Sequence, residues 1–282
     1  MITNIYDYPE LKRVNKDIGR YYIDSNNSPV PSVTTVLNKT SNKSDSIQQW
    51  RNRVGDKEAD RITKQSTDIG SMVHEALEYH LNNKKWDNFT EDQNGHIAKK
   101  ITSKFISTGI KSITEVWGLE VGLILDGLYA GTADCVGKIN NVPTLIDFKT
   151  ARRMKRREWI EDYFLQCCAY ANAHNVMFGT EINQVVILMV DRELLFQEFI
   201  VKPTEFNILT NLWKRDCLNF TVNILMKMPK IYKIFFISIF FINSSYVMSK
   251  PSFFIENTEI IGQTNEESID FYLGIPYAEA PL

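Results

Sequence analysis

Three apolar runs in close succession, at 113–124, 128–139 and 143–149, constrain the fold more than any other feature of this 282-residue chain. Each is strand-like and bounded by short polar breaks. A helical pattern follows from Glu158 to about Phe178, and then two more strand-like runs, "QVVILMV" and "LLFQEFIV", flank a "DRE" turn. Pro203 is placed to open a last helix running to about Leu225. Upstream, residues 1–43 read as strand and loop, with "RYYID" and "PSVTTVL" separated by the turn signal "SNNSP". From Asp45 to about Gly109, apolar residues recur at three- and four-residue steps, so residues 44–109 are expected to be helical. The order helices, strands, helix, strands, helix predicts an α/β fold, a mixed central sheet flanked by helices with a helical N-terminal part.

A composition 44% apolar and 23% charged can build a core without metal or disulfide staples. The formal net charge of −2 gives no global signal for nucleic acid. Cys135, Cys167, Cys168 and Cys217 form no CxxC pair and read as reduced thiols in or near the core. Their spacing does not offer an iron–sulfur ligand set.

The pattern changes at Met228. "MPKIYKIFFISIFFINSSYVMSKP" has a basic start, nine mainly apolar residues from Ile234 to Ile242, and a small, polar end. That is the layout of a secretory signal peptide at an internal position, and it is too short and interrupted for a membrane span. The final "FYLGIPYAEAPL" resembles the opening of a type B carboxylesterase. No GxSxG elbow occurs anywhere in the chain, so the tail cannot supply esterase catalysis. Residues 228–282 are therefore read as the front of a second gene product joined to a first domain at 1–227. The competing reading is a C-terminal segment that touches a membrane through 231–248.

The chemistry concentrates in "GTADCVGKINNVPTLIDFKTARRMKRR", residues 131–157. Side chains alternate faces along a strand, so Asp147 and Lys149 share a face and Phe148 takes the other. If strand 143–149 pairs with the strand before it, Asp134 can face the same side as Asp147. Two carboxylates that close repel unless a cation sits between them, and hard oxygen donors favour Mg²⁺ or Mn²⁺. Such an ion with a neighbouring ammonium suits hydrolysis of a phosphodiester. A pair of surface salt bridges at a strand end is the plainer reading of "DFK" alone.

Three further features bear on that choice. His74 lies on a helix after Gly70, where an imidazole can complete a carboxylate site or simply be structural. "HEALEYH" is not a zinc-protease motif, because its histidines are six apart and do not share a helix face. Gln166 and Tyr170 stand four apart on one helix face, suited to holding a phosphate, to bracing metal ligands, or to lining the core edge. Arg152, Arg153, Lys155, Arg156 and Arg157 put five positive charges in six positions, either at the mouth of a site or on a solvated loop.

Taken in order, Pro31–Leu37, Trp50, Gly70–His74, Gly131–Asp134, Asp147–Thr150 and Gln166–Ala171 resemble the PD-(D/E)xK nuclease superfamily in its RecB-like exonuclease branch. The resemblance spans about residues 20–200. It implies a restriction-endonuclease-like core at 110–227 under a helical arch at 44–109. It implies Asp134 and Asp147 as metal-binding acids, Lys149 as the catalytic lysine, His74 as an extra metal ligand, and Gln166 and Tyr170 as the Q-x-x-x-Y motif. Glu120 is the weaker placement of a supporting acid, for which Glu115 competes. "TAD" stands where the superfamily's name motif has a proline, as is usual in this branch.

The expected activity is that of a metal-dependent exonuclease on single-stranded DNA, with no small-molecule cofactor. A structure-specific endonuclease and an inactive nucleic-acid-binding module remain the alternatives. The resemblance further implies a monomer in the cytoplasm of a bacterium or phage host, or in mitochondria. Lys149→Ala is expected to abolish cleavage and leave folding and DNA binding largely intact.

Overall fold

The computed structural model describes residues 5–41, 43–227, 252–255, 258–261, 263–264 and 270–271. The chain divides into two units, 1–223 and 224–282. In the first unit, β1 (Arg13–Lys16), β2 (Gly19–Ile23) and β3 (Pro29–Pro31) form a small antiparallel sheet. Then come α1 (Val33–Thr40), α2 (Lys43–Val54), α3 (Asp56–Leu81) and α4 (Gln93–Ser107). A 3₁₀ turn leads into β4 (Ile113–Leu125), β5 (Tyr129–Ile139) and β6 (Val142–Ala151), an antiparallel meander. α5 (Glu161–Phe178) crosses over to β7 (Gln184–Asp191), which pairs parallel to β6, and β8 (Phe196–Val201) returns antiparallel. α6 (Pro203–Lys227) follows. The result is the expected mixed five-stranded sheet, in the order β4-β5-β6-β7-β8, flanked by helices.

One sequence expectation changes. "PSVTTVL" is mostly helix, not strand. The Ser32 hydroxyl accepts the Thr35 amide at 3.0 Å and caps α1. Val33, Val36 and Leu37 are then buried on one side, at helical spacing. Burial and a cap outweigh the β preference of the branched residues. Within the expected helical part, α3 runs through Gly70 for 26 residues.

One face of the sheet is covered by α3 and α4. Ile69, Val73 and Leu77 of α3 and Ala98, Ile101 and Phe105 of α4 pack on Ile146 and Phe148 of β6 and Val186, Leu188 and Val190 of β7. Each fully buried residue of this size contributes about 1.5–3 kcal/mol. α5 packs on β4 through β7 and buries Phe164, Leu165, Cys167, Cys168 and Tyr170. Its end is set by Gly179, whose φ of 66° is the left-handed cap that glycine adopts without strain. All four cysteines are free thiols.

In the second unit, β9 (Ser252–Ile255) pairs antiparallel with β10 (Thr258–Ile261), and β11 (Gln263–Thr264) with β12 (Asp270–Phe271). The signal-like stretch at 228–248 and all but the first residue of "FYLGIPYAEAPL" lie outside the described residues. Among the described residues, no helix is long and apolar enough to cross a membrane.

Candidate metal centre

The site forms where the ladder between β5 and β6 stops. Its pairs run from Ile139↔Val142 to Cys135↔Ile146. The next inter-strand link is made by a side chain: Asp134 Oδ2 accepts the Phe148 amide at 2.9 Å. On the other flank of β5, the pairs Leu119↔Cys135 and Val121↔Ala133 put Glu120 of β4 across from Asp134. Glu120, Asp134 and Asp147 thus form a row of acids across three strands. Glu120 holds a φ of 49°, a left-handed conformation that costs a non-glycine residue about 1 kcal/mol or more. A register irregularity between Val116 and Gly118 precedes it.

His74 reaches this row from α3. Its Nδ1 lies 3.5 Å from Glu120 Oε1 and 3.6 Å from Asp134 Oδ2. One donor atom from each of His74, Glu120 and Asp134 lies within 4.8 Å of the others, a group that could hold a metal ion. Burial disfavours the imidazolium, but Asp134, Glu120 and Asp147 outweigh it and raise the His74 pKa to about 9. Together the neighbouring acids create a place for positive charge. An open cleft of about 470 Å³ leads to the group, lined by Ser71, His74, Glu75, Glu78 and Glu120.

Asp147 is not among the three donors that lie within 4.8 Å of one another. Its carboxylate is paired with Lys149. Asp147 Oδ1 accepts Lys149 Nζ at 2.7 Å, and Oδ2, also 2.7 Å from the ammonium, has no hydrogen-bond geometry to any partner. Burial pushes the Asp147 carboxyl up and Lys149 pulls it back, leaving it at about 6. Burial disfavours the Lys149 ammonium as well, but Asp147 and Asp134 together hold its pKa above the ordinary lysine value. The buried, unsatisfied Oδ2 beside Asp134 and His74, together with one imidazole and two further carboxylates, fits a hard divalent cation.

α5 supplies the opposite wall. Lys149 Nζ lies 5.0 Å from the centre of the Tyr163 ring. Gln166 Nε2 donates to Tyr170 Oη at 3.4 Å. Tyr170 lies against Gly131, where an added Cβ would come within 2.6 Å of its hydroxyl. The glycine of "GTAD" and the tyrosine of "QCCAY" are therefore one packing contact. Glu115, the rival to Glu120, is committed elsewhere: it pairs with Lys138 at 2.7 Å and accepts Trp117 Nε1.

The basic run splits. Arg152 and Arg153 are exposed. Lys155 donates to Tyr163 Oη at 2.8 Å, and Arg156 sits over the Trp159 ring. Arg157 is taken up by Glu205 at 2.7 Å, which ties the loop to α6. Arg192, at the β7–β8 turn, joins Arg152 and Arg153 in a second cleft and was not singled out from sequence.

No family model matches the chain, and no curated protein matches it. Among solved structures, the chain is similar to a candidate exonuclease from Eubacterium rectale, at 17% identity and a TM-score of 0.42, over 56% of this chain and 66% of that one. It is also similar to the protein SSO0001, at 17% identity and a TM-score of 0.25, over 40% of this chain and 52% of that one. The chain thus spans less than two thirds of either neighbour's length, and the functional reading rests on the site's own geometry.

Proposed function

We propose that the chain is a divalent-metal-dependent nuclease that hydrolyses phosphodiester bonds of DNA from single-stranded ends, with residues 1–227 carrying the activity. The observation that carries this reading is the meeting of His74, Glu120 and Asp134 within 4.8 Å, beside the buried Asp147–Lys149 pair. His74, Glu120 and Asp134 would hold Mg²⁺ or Mn²⁺, with Asp147 Oδ2 available next to them. When bound, the ion supplies Lewis-acid polarisation of the phosphoryl group and a water of lowered pKa.

Every other part is played by the chain. Lys149 stays charged between Asp147 and Asp134, so it serves as a fixed cation beside the phosphate and orients water, not as a base. Asp147 fixes the Lys149 ammonium in place. Tyr170, hydrogen-bonded to Gln166, braces β5 at Gly131 from α5. Arg152 and Arg153, exposed on the loop after β6, contact the phosphate backbone without reading bases. Preference for ends and for single strands is supported by the resemblance to RecB-like exonucleases.

The test is an end-labelled linear single strand and its circular form, each incubated with Mg²⁺ and with EDTA. The linear strand is expected to be degraded, the circle spared, and both left intact in EDTA. Cutting of the circle points to an endonuclease of the same fold. Binding without cleavage of either points to an inactive module.

A further inference from the structure

We infer that Arg152, Arg153 and Arg192 build a discrete subsite for a phosphate group of the substrate strand, apart from the metal group; this rests on the nuclease reading above. A cleft of about 460 Å³ is lined by Arg61, Gln65, Arg152, Arg153, Arg192 and Glu193, among others. Its arginines come from α3, from the loop after β6, and from the β7–β8 turn. Arg61 is answered by Glu58 at 2.7 Å. Arg192 is held by neutral partners, donating to Gln65 Oε1 at 3.1 Å. Among the described residues, no carboxylate forms an ion pair with Arg152, Arg153 or Arg192, although Glu58 lies close enough to Arg152 to be felt. Burial, then Arg152 and Arg61, lower the Arg192 pKa, as expected where like charges crowd together without an anion. Glu193, exposed on the rim, is the only acid in the lining.

The cluster is held in place by a buried carboxylate. Asp191, 1% exposed, accepts the amides of Met154 at 3.0 Å, Glu193 at 2.9 Å and Leu195 at 3.0 Å. It binds the loop of Arg152 and Arg153 to the turn of Arg192. The backbone segments that carry the three arginines are thus tied together around one cleft before any ligand arrives, which lowers the cost of binding an anion. Guanidinium forks suit phosphate oxygens.

The cleft's position gives it a role. α3 runs antiparallel along β6: His74 packs on Phe148, Gly70 faces Thr150, and Gln65 lies at the cleft with Arg152. From His74 back to Gln65 is roughly 14 Å along a helix, and from Asp147 to Arg152 roughly 16 Å along a strand. Both routes set the cleft about 15 Å from the metal group, beyond the reach of one phosphate. A strand cut at the metal group and running along α3 lays another of its phosphates into the cleft.

Binding of a fluorescein-labelled single-stranded DNA oligonucleotide, followed by anisotropy in EDTA over a range of salt, tests this. The proteins are wild type, Arg192→Gln, the double variant Arg152→Gln/Arg153→Gln, and Lys111→Gln as a control for loss of one exposed charge elsewhere. Arg192→Gln and the double variant are expected to bind about tenfold more weakly, with a salt slope shallower by about 0.7 for each phosphate no longer neutralised. Lys111→Gln is expected to match wild type.

Neutral methylphosphonates placed one at a time should reveal a position, away from the cleaved bond, that weakens wild type but not Arg192→Gln. Removing the terminal phosphate instead, with the same outcome, identifies that end group as the ligand. The exposed double variant keeps the test open if Arg192→Gln does not fold. Wild-type affinity and slope in both variants, with metal-dependent cleavage intact, overturn the subsite. Absence of DNA binding and cleavage in wild type overturns the nuclease reading with it.

Discussion

Asp134 Oδ2 accepts the Phe148 amide at 2.9 Å, so a carboxylate makes the last link between β5 and β6 where a backbone carbonyl would otherwise stand. The strands part at that point. The same oxygen faces His74 at 3.6 Å, and Asp147 and Lys149 follow on the next strand. A break in the ladder is what lets side chains from α3, β4, β5 and β6 share one small volume.

The Lys149–Asp147 pair is both functional and structural. Lys149→Ala should lower cleavage by about 10²–10³-fold. It should also destabilise the protein by about 3–5 kcal/mol, because it strands a buried carboxylate. The sequence alone suggested that folding would be spared; the burial of the pair changes that. Urea unfolding should show much of the loss recovered in Asp147→Asn/Lys149→Ala, with cleavage still impaired. Equal stability of the single and double variants would contradict the coupling.

Gly131→Ala should force Tyr170 aside. Overpacking of this kind costs about 1–3 kcal/mol. Thermal melting should show the loss, and Tyr170→Ala in the same chain should relieve the clash, so the two effects should add to less than their sum. Strict additivity would mean that the two residues do not meet.

His174 gives a pH dependence of stability. It is fully buried among Tyr6, Tyr8, Trp117 and Phe178, hydrogen-bonded to Tyr8 Oη at 3.0 Å and Thr180 Oγ1 at 2.8 Å. Burial lowers its pKa from 6.5 to about 4. The fold therefore prefers the neutral ring, and the unfolded chain takes up the proton first. Its stabilising contribution is full above about pH 6.5 and is lost as the pH falls toward about 4. Melting temperatures of wild type and His174→Gln should converge over that window, and parallel curves would contradict the assignment.

The chain 1–227 made alone should fold and cleave as the full chain does. The first unit ends at 223 and has its own core, and stopping at 227 keeps α6 whole. An insoluble or inactive fragment would tie the tail to the nuclease.

How much of this was legible in the sequence follows from the range of the forces involved. Alternation along β6 is local, so the shared face of Asp147 and Lys149 could be read from "DFK". The strand runs of β4 to β8 declared themselves for the same reason. Glu120 was harder. An irregular register near Gly118 and a φ of 49° decide where its carboxylate goes, and neither leaves a mark in composition. How closely Lys149 holds Asp147 was not legible, because charge counting shows neither burial nor distance. The helix at Val33–Thr40 was hidden by β-branched residues, although Ser32 was a visible cap signal. Arg192 could not be joined to Arg152 from sequence, since only the parallel pairing of β6 with β7 brings their strand ends together.

The most direct test of the central claim is calorimetric titration of Mn²⁺ into wild type and Asp134→Asn, with circular dichroism to confirm folding. The asparagine keeps an acceptor for the Phe148 amide, so the variant should fold. Wild type should bind Mn²⁺ at the His74–Glu120–Asp134 group, and Asp134→Asn should lose that binding together with cleavage. A folded Asp134→Asn that binds Mn²⁺ and cuts DNA like wild type would contradict the account.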